Sequence, residues 1–194
     1  MTLVFYGQSP TAPRGNLEEV RRAILHSKDL ESQDSILKTK KLNGAERRRL
    51  FDYLLREWKS PDMGSEAELR AEVSNARVEL ADLDGDGVNE VIVQGSGDRD
   101  CSPTGNCSLE VLRRSGEGFE KIAGAIAQDF SITGRRTGAF SDLVLGMHGS
   151  ATSSEVRLFR YRDGRYRRAA CYVVNWQPDP DKPQLTEPAM SPCR

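Results

Sequence analysis

An α+β fold is predicted by three features of the sequence. Capped, amphipathic helical segments run up to residue 76; short alternating strands separated by glycine turns follow from Arg77; and one strand-rich stretch resembles another further along the chain. The expected architecture is a helical N-terminal portion packed on an antiparallel β-sheet made of two repeated β-meander units. A chain of 194 residues is long enough for one core, and no second independent domain is expected.

In chain order, "TLVFY" is too short for the hydrophobic region of a signal sequence, and with "GQSPTAP" it reads as a flexible N-terminus over residues 1–15. Residues 16–76 read as helical. "NLEEVRRAI" places Asn16 and Glu19 at capping-box spacing, and "NGAERRRLFDYLLREWKSP" does the same with Asn43 and Glu46. In the latter helix Leu50, Phe51, Leu54, Leu55 and Trp58 form one apolar stripe that predicts core, and Ser60-Pro61 ends it. "SEAELRAEV", from Ser65, predicts a third short helix, and "KTKK" a solvated connection. His26 falls on the helical part, where it is expected to be solvated or packed.

Residues 77–176 form the β-rich part. "VELADLDGDGVNEVIV", from Val78, aligns without gaps to "FSITGRRTGAFSDLVL", from Phe130, at an offset of 52. "LEVLRRSGEGFEKIA", from Leu109, aligns with "VRLFRYRDGRYRRAA", from Val156, at an offset of 47. Each unit, 78–123 and 130–170, therefore reads as strand, loop, buried strand, connection and hairpin, the hairpin turning at Gly116 or at Asp163-Gly164. About eight strands follow. The tail over 177–194 has five prolines and is expected to be too proline-rich to pair.

Net charge is -1, from 28 basic and 29 acidic residues, which removes the global polyelectrolyte argument for nucleic acid or a membrane surface. No apolar run approaches membrane-span length. Four cysteines make an even count. Pro103 and Gly105 can turn "CSPTGNC" back on itself, so Cys101 is expected to join Cys107, and Cys171 to join Cys193. That pattern predicts an oxidising, secreted or periplasmic location. A zinc site is disfavoured, because there is no CxxC pair and only two histidines, His26 and His148.

The densest chemistry lies in "ADLDGDGVNEVIVQGSG". Asp82, Asp84, Asp86 and Glu90 repel one another unless a cation screens them. Calcium takes about six to eight oxygens from carboxylates and carbonyls. Asp82, Asp84 and Asp86 can point inward from a tight turn that Gly85 and Gly87 permit; Val88 would offer its carbonyl and Glu90 would close the cage. An EF-hand would close at Val93 and be flanked by helices, whereas "RVEL" and "VIV" are strand-like. "DLDGDGVNEVIV" resembles the calcium loop of FG-GAP and VCBS repeats, the integrin-type propeller motif with its D-x-D-x-D-G-x-x-D pattern. The resemblance covers about a dozen residues and implies calcium. The chain departs from that pattern with Glu90 in place of the usual aspartate, and Gly134, Arg136 and Gly138 replace the three aspartates in the second unit. A propeller needs at least four blades, so two units exclude a closed one in this chain.

Other chemistry is weaker. His148 and Ser150 share one loop, but there is no G-x-S-x-G elbow and no third group identifiable from the sequence. "GSGD" precedes a cysteine loop instead of a helix, which disfavours a phosphate cradle. Arg160, Arg162, Arg165 and Arg167 surround the second hairpin with Tyr161 and Tyr166. Alternation would put several of these arginines on one sheet face, which reads as a solvated outer face offsetting the acidic helices or as one able to meet an acidic glycan, another acidic polymer or an acidic protein. The function expected is a calcium-stabilised binding module without catalytic activity. The alternative is a secreted hydrolase, or an inhibitor of one, working through the His148–Ser150 loop.

Overall fold

The computed structural model describes residues 14–30, 33–60, 64–98, 100–116, 118–176 and 188–193. It contains three helices, α1 (Arg14–Ile24), α2 (Gly44–Glu57) and α3 (Glu66–Asn75). Two start as the sequence predicts. The Asn43 side chain accepts the backbone N–H groups of Ala45 and Glu46 while the Glu46 carboxylate accepts that of Asn43; Ser65 and Glu68 make the same reciprocal box on α3. The box expected at Asn16 and Glu19 does not form. Both residues lie inside α1, and their buried side chains turn instead to Arg160, far along the chain.

The strands are β1 (Lys28–Asp29), β2 (Arg77–Ala81), β3 (Glu90–Gln94), β4 (Cys107–Ser115), β5 (Gly118–Ala127), β6 (Asp129–Thr137), β7 (Phe140–Ser150), β8 (Ser153–Arg162), β9 (Arg165–Asn175) and β10 (Ala189–Pro192). They make two antiparallel sheets, where one was expected. Four strands run β2-β3-β4-β5, and six run β1-β6-β7-β8-β9-β10. The change of sheet occurs at Gln128, the single residue between β5 and β6, whose N–H donates to Gly146 and whose carbonyl accepts from Leu30. The β8–β9 hairpin turns through Asp163 (φ 52°) and Gly164 (φ 79°), the consecutive left-handed pair that a two-residue hairpin requires.

Alternation along the strands sorts side chains into three clusters. Ile92, Leu109, Val111 and Ile122 from the four-stranded sheet meet Phe130, Leu143, Leu145 and Phe159 from the six-stranded one. On the far side of the four-stranded sheet, Val78, Val91, Val93 and Leu112 gather with Leu50 and Leu54 of α2 and Leu69 and Val73 of α3. Beyond the six-stranded sheet, Val144, Val156, Leu158, Tyr172 and Val174 gather with Val20 and Ala23 of α1. Residues 16–76 are thus not one helical layer. In the predicted stripe Leu50 and Leu54 are fully buried, whereas Phe51, Leu55 and Trp58 are partly so.

Cys101 is joined to Cys107 and Cys171 to Cys193, and no cysteine is free. The second bridge changes the picture of the tail, because Ala189–Pro192 pairs with β9 as an edge strand. An edge position leaves the outward side without a partner strand, so Pro192, which has no N–H, is accommodated. Residues 177–187 and 1–13 of the predicted tail and N-terminus lie outside the described residues. In "KTKK" the lysines are exposed but Thr39 is fully buried. Among the described residues no helix is long and apolar enough to cross a membrane.

Candidate metal site and arginine face

The loop between β2 and β3 is the strand–loop–strand arrangement read from the sequence. Each aspartate folds back on backbone ahead of it. Asp82 accepts the N–H groups of Gly85 (2.6 Å) and Gly87 (3.1 Å), Asp84 accepts that of Asp86 (3.1 Å), and Asp86 that of Val88 (2.7 Å). These turns bring one carboxylate oxygen from each of Asp82, Asp84 and Asp86 within 4.8 Å of one another. Carboxylate oxygens carry more than one lone pair, so a hard cation can share them with the loop's N–H groups. The loop is anchored from below by Leu83, fully buried in the inter-sheet cluster, whose carbonyl accepts from Ser141 of β7 at 2.7 Å.

One of the five expected ligand positions stands apart from the other carboxylates. Glu90 is only 3 % exposed, and its carboxylate accepts the Leu83 N–H at 2.8 Å, outside the group of three aspartates. Burial pushes its pKa up to about 7, the Leu83 N–H opposes that, and the charges of Asp84 and Asp86 add to it. Its strand position explains the placement, because Glu90 alternates with Ile92 and so faces the space between the sheets. Val88 is exposed.

Arginines hold the loop from outside. The Arg136 guanidinium donates to the Asp84 carbonyl at 2.8 Å and lies over Gly85, where a Cβ would collide with it; Gly85 also has φ 74°. Arg114 donates to the Asn89 carbonyl and pairs with Glu46 of the α2 capping box at 3.0 Å. Sequence reasoning did not foresee Arg136 here, although a signal existed: Arg136 is the residue that aligns with Asp84 at the offset of 52.

The His148–Ser150 segment closes the β7–β8 hairpin. His148 donates its backbone N–H to Asn106 Oδ1 and accepts from Asn106 Nδ2 through its carbonyl, tying the strand end to the Cys101–Cys107 loop. Ser150 Oγ accepts the Thr152 N–H at 3.3 Å. A carboxylate missed in the sequence, Asp129, stands near His148. Burial pushes its pKa up, the like charge of Asp29 adds to this, and His148 opposes it.

Along the second hairpin, Arg162 stands opposite Arg165 and Arg160 opposite Arg167, while Tyr161 and Tyr166 pair between them and face the inter-sheet cluster. The four arginines therefore share one face. Arg160 is not free to bind, however. Its side chain is 11 % exposed, with Nε 3.0 Å from Asp142 Oδ2 and Nη2 3.3 Å from Glu19 Oε2 and 2.8 Å from Asn16 Oδ1. Arg162, Arg165 and Arg167 are exposed. Comparison with known protein families, with curated proteins and with solved structures finds no match for this chain.

Proposed function

We propose that this chain is a calcium-stabilised binding module that works in an oxidising, secreted or periplasmic setting and has no catalytic activity of its own. The observation that carries this reading is the convergence of Asp82, Asp84 and Asp86 within 4.8 Å in a loop anchored at its base by the buried Leu83. Three carboxylates so close repel one another, and a divalent ion offsets that repulsion while leaving room for water ligands. The two disulfides favour the location, since such bonds persist where thiols are not kept reduced. The resemblance of the loop to FG-GAP and VCBS repeats supports calcium over magnesium.

Thermal unfolding in calcium, magnesium and chelator tests the reading. Single-loop extracellular sites have dissociation constants of about 10⁻⁴ to 10⁻³ M, so about 1 mM calcium should stabilise the native state by roughly 0.4 to 1.4 kcal/mol, with a smaller magnesium response. Asp84→Ala should abolish the calcium response and leave stability in chelator unreduced, because it removes a ligand and a repulsive charge together. A melting curve indifferent to calcium overturns the proposal.

A second reading, a hydrolase or hydrolase inhibitor using His148 and Ser150, is favoured by Asp129 beside His148. It is opposed by the Ser150 hydroxyl, which accepts a hydrogen bond from Thr152 and donates none to His148 among the described residues. Covalent capture of Ser150 by a fluorophosphonate would decide for it.

A further inference from the structure

We infer that the arginine face of the β8–β9 hairpin docks an extended, carboxylate-bearing polysaccharide. This rests on the binding-module reading and names its partner. Residues directly opposite on antiparallel strands have Cβ atoms about 4.5–5.5 Å apart, and alternate residues along a strand are about 6.8 Å apart. Arg162, Arg165 and Arg167 therefore present three guanidinium groups as a small lattice, with the buried Arg160 at its inner corner. Like charges in opposed positions destabilise a sheet. Here no ion pair relieves Arg162, Arg165 or Arg167 among the described residues, and Asp163 in the turn makes none with them. An anion from outside is the missing neutralising group.

The face continues across the sheet. Arg135 of β6, 56 % exposed, has its Nε 4.0 Å from the Asp142 oxygen that Arg160 also holds. It borders a cavity of about 400 Å³ between α1 and β6, lined by Glu19, Arg22, His26, Ser131, Thr133 and Arg135. Arg22, His26 and Arg135 are exposed there and extend the basic surface toward a long anionic chain, whereas Glu19 is already held by Arg160 and Thr133.

Other polyanion partners fit less well. The core of a protein interface is enriched in aromatic and apolar residues, and the exposed large apolar residues, Leu25, Leu37, Val88, Ile126, Val173 and Trp176, include none of the Arg162–Arg167 hairpin end. Single-stranded nucleic acid is held by aromatic faces that stack its bases, but Tyr161 and Tyr166 face inward and pack with Phe140, with ring centroids 4.2 Å apart for Phe140–Tyr161 and 5.5 Å for Tyr161–Tyr166. Charge alone is left to read, and the two coplanar oxygens of a carboxylate match the guanidinium fork.

The test uses the disulfide-bonded full chain in chelator at low salt, with immobilised polygalacturonate, dextran sulfate, neutral dextran and single-stranded DNA as probes. The native protein should bind polygalacturonate best and neutral dextran not at all. The triple variant R162Q/R165Q/R167Q should lose roughly tenfold in affinity, as three exposed charge contacts imply, with a melting temperature no lower than the native protein's, since it removes like charges that face one another. R135Q should lose less. Because the assay is run in chelator, a failed calcium reading leaves this result standing. Equal binding by native and triple variant, no binding to polygalacturonate, or tighter binding to dextran sulfate or DNA would each overturn the inference.

Discussion

Replacing Arg160 by methionine separates its structural role from the exposed arginines beside it. The guanidinium is 11 % exposed and bridges two carboxylates, Asp142, which is wholly inaccessible, and Glu19, whose side chain is 8 % exposed. One Asp142 oxygen, Oδ1, already has no hydrogen-bond partner among the described residues, so the Arg160 Nε contact at 3.0 Å is the main compensation for that buried charge. Removing one member of a buried pair costs about 3–5 kcal/mol, because the other charge is left desolvated and unpaired. Methionine keeps most of the apolar stem, so little of the loss arises from a cavity. Denaturant titration should show a midpoint lowered by that amount with little change in slope, and amide exchange around Val20 and Ala23 should speed up as α1 loosens. Adding Asp142→Asn should recover roughly half of the loss by removing the stranded charge. A cost below about 1 kcal/mol, typical of an exposed pair, would refute the argument and return Arg160 to the binding face.

Three further outcomes are expected. Asp129→Asn should stabilise the protein at neutral pH. The native state holds the Asp129 pKa above its ordinary 3.8, so its favourable contribution is full below that value and is lost as pH rises through the folded pKa. The gain over wild type, followed by denaturant midpoints from pH 3 to 7, should vanish at the acid end. Replacing Cys171 and Cys193 together by serine should cost roughly 3 kcal/mol by loop-entropy reasoning for a separation of 22 residues, and limited proteolysis should then release β10 while the rest of the chain stays folded. Arg136→Gln removes the cation beside the acidic loop and should tighten calcium binding up to roughly fivefold in isothermal titration; weaker binding would show that its hold on the Asp84 carbonyl outweighs its charge.

Legibility in the sequence followed range. The caps at Asn43 and Ser65, the stripe on α2, the turn at Asp163-Gly164 and the strand–loop–strand setting of the acidic motif depend on residues within a few positions of one another. Those local energies are nearly complete before tertiary packing begins. The same logic failed at Asn16 and Glu19, where an identical capping pattern lost to a guanidinium more than a hundred residues away. It also failed for the proline-rich tail, where a disulfide holds a short edge strand in place despite its composition.

By itself, then, the sequence determined that α2 and α3 are helices and that β2 to β9 are strands, which residues alternate toward a core, and which carboxylates cluster in one loop, since periodicity and spacing encode these directly. Only the tertiary structure decided that the strands divide into two sheets at Gln128, that Glu90 turns into the space between them, that Arg136 reaches the acidic loop, and that Arg160 is spent on buried carboxylates while Arg162, Arg165 and Arg167 remain outside. Those outcomes depend on which distant groups meet once the apolar faces are covered, and the desolvation of a charge depends on everything around it, not on its neighbours in the chain.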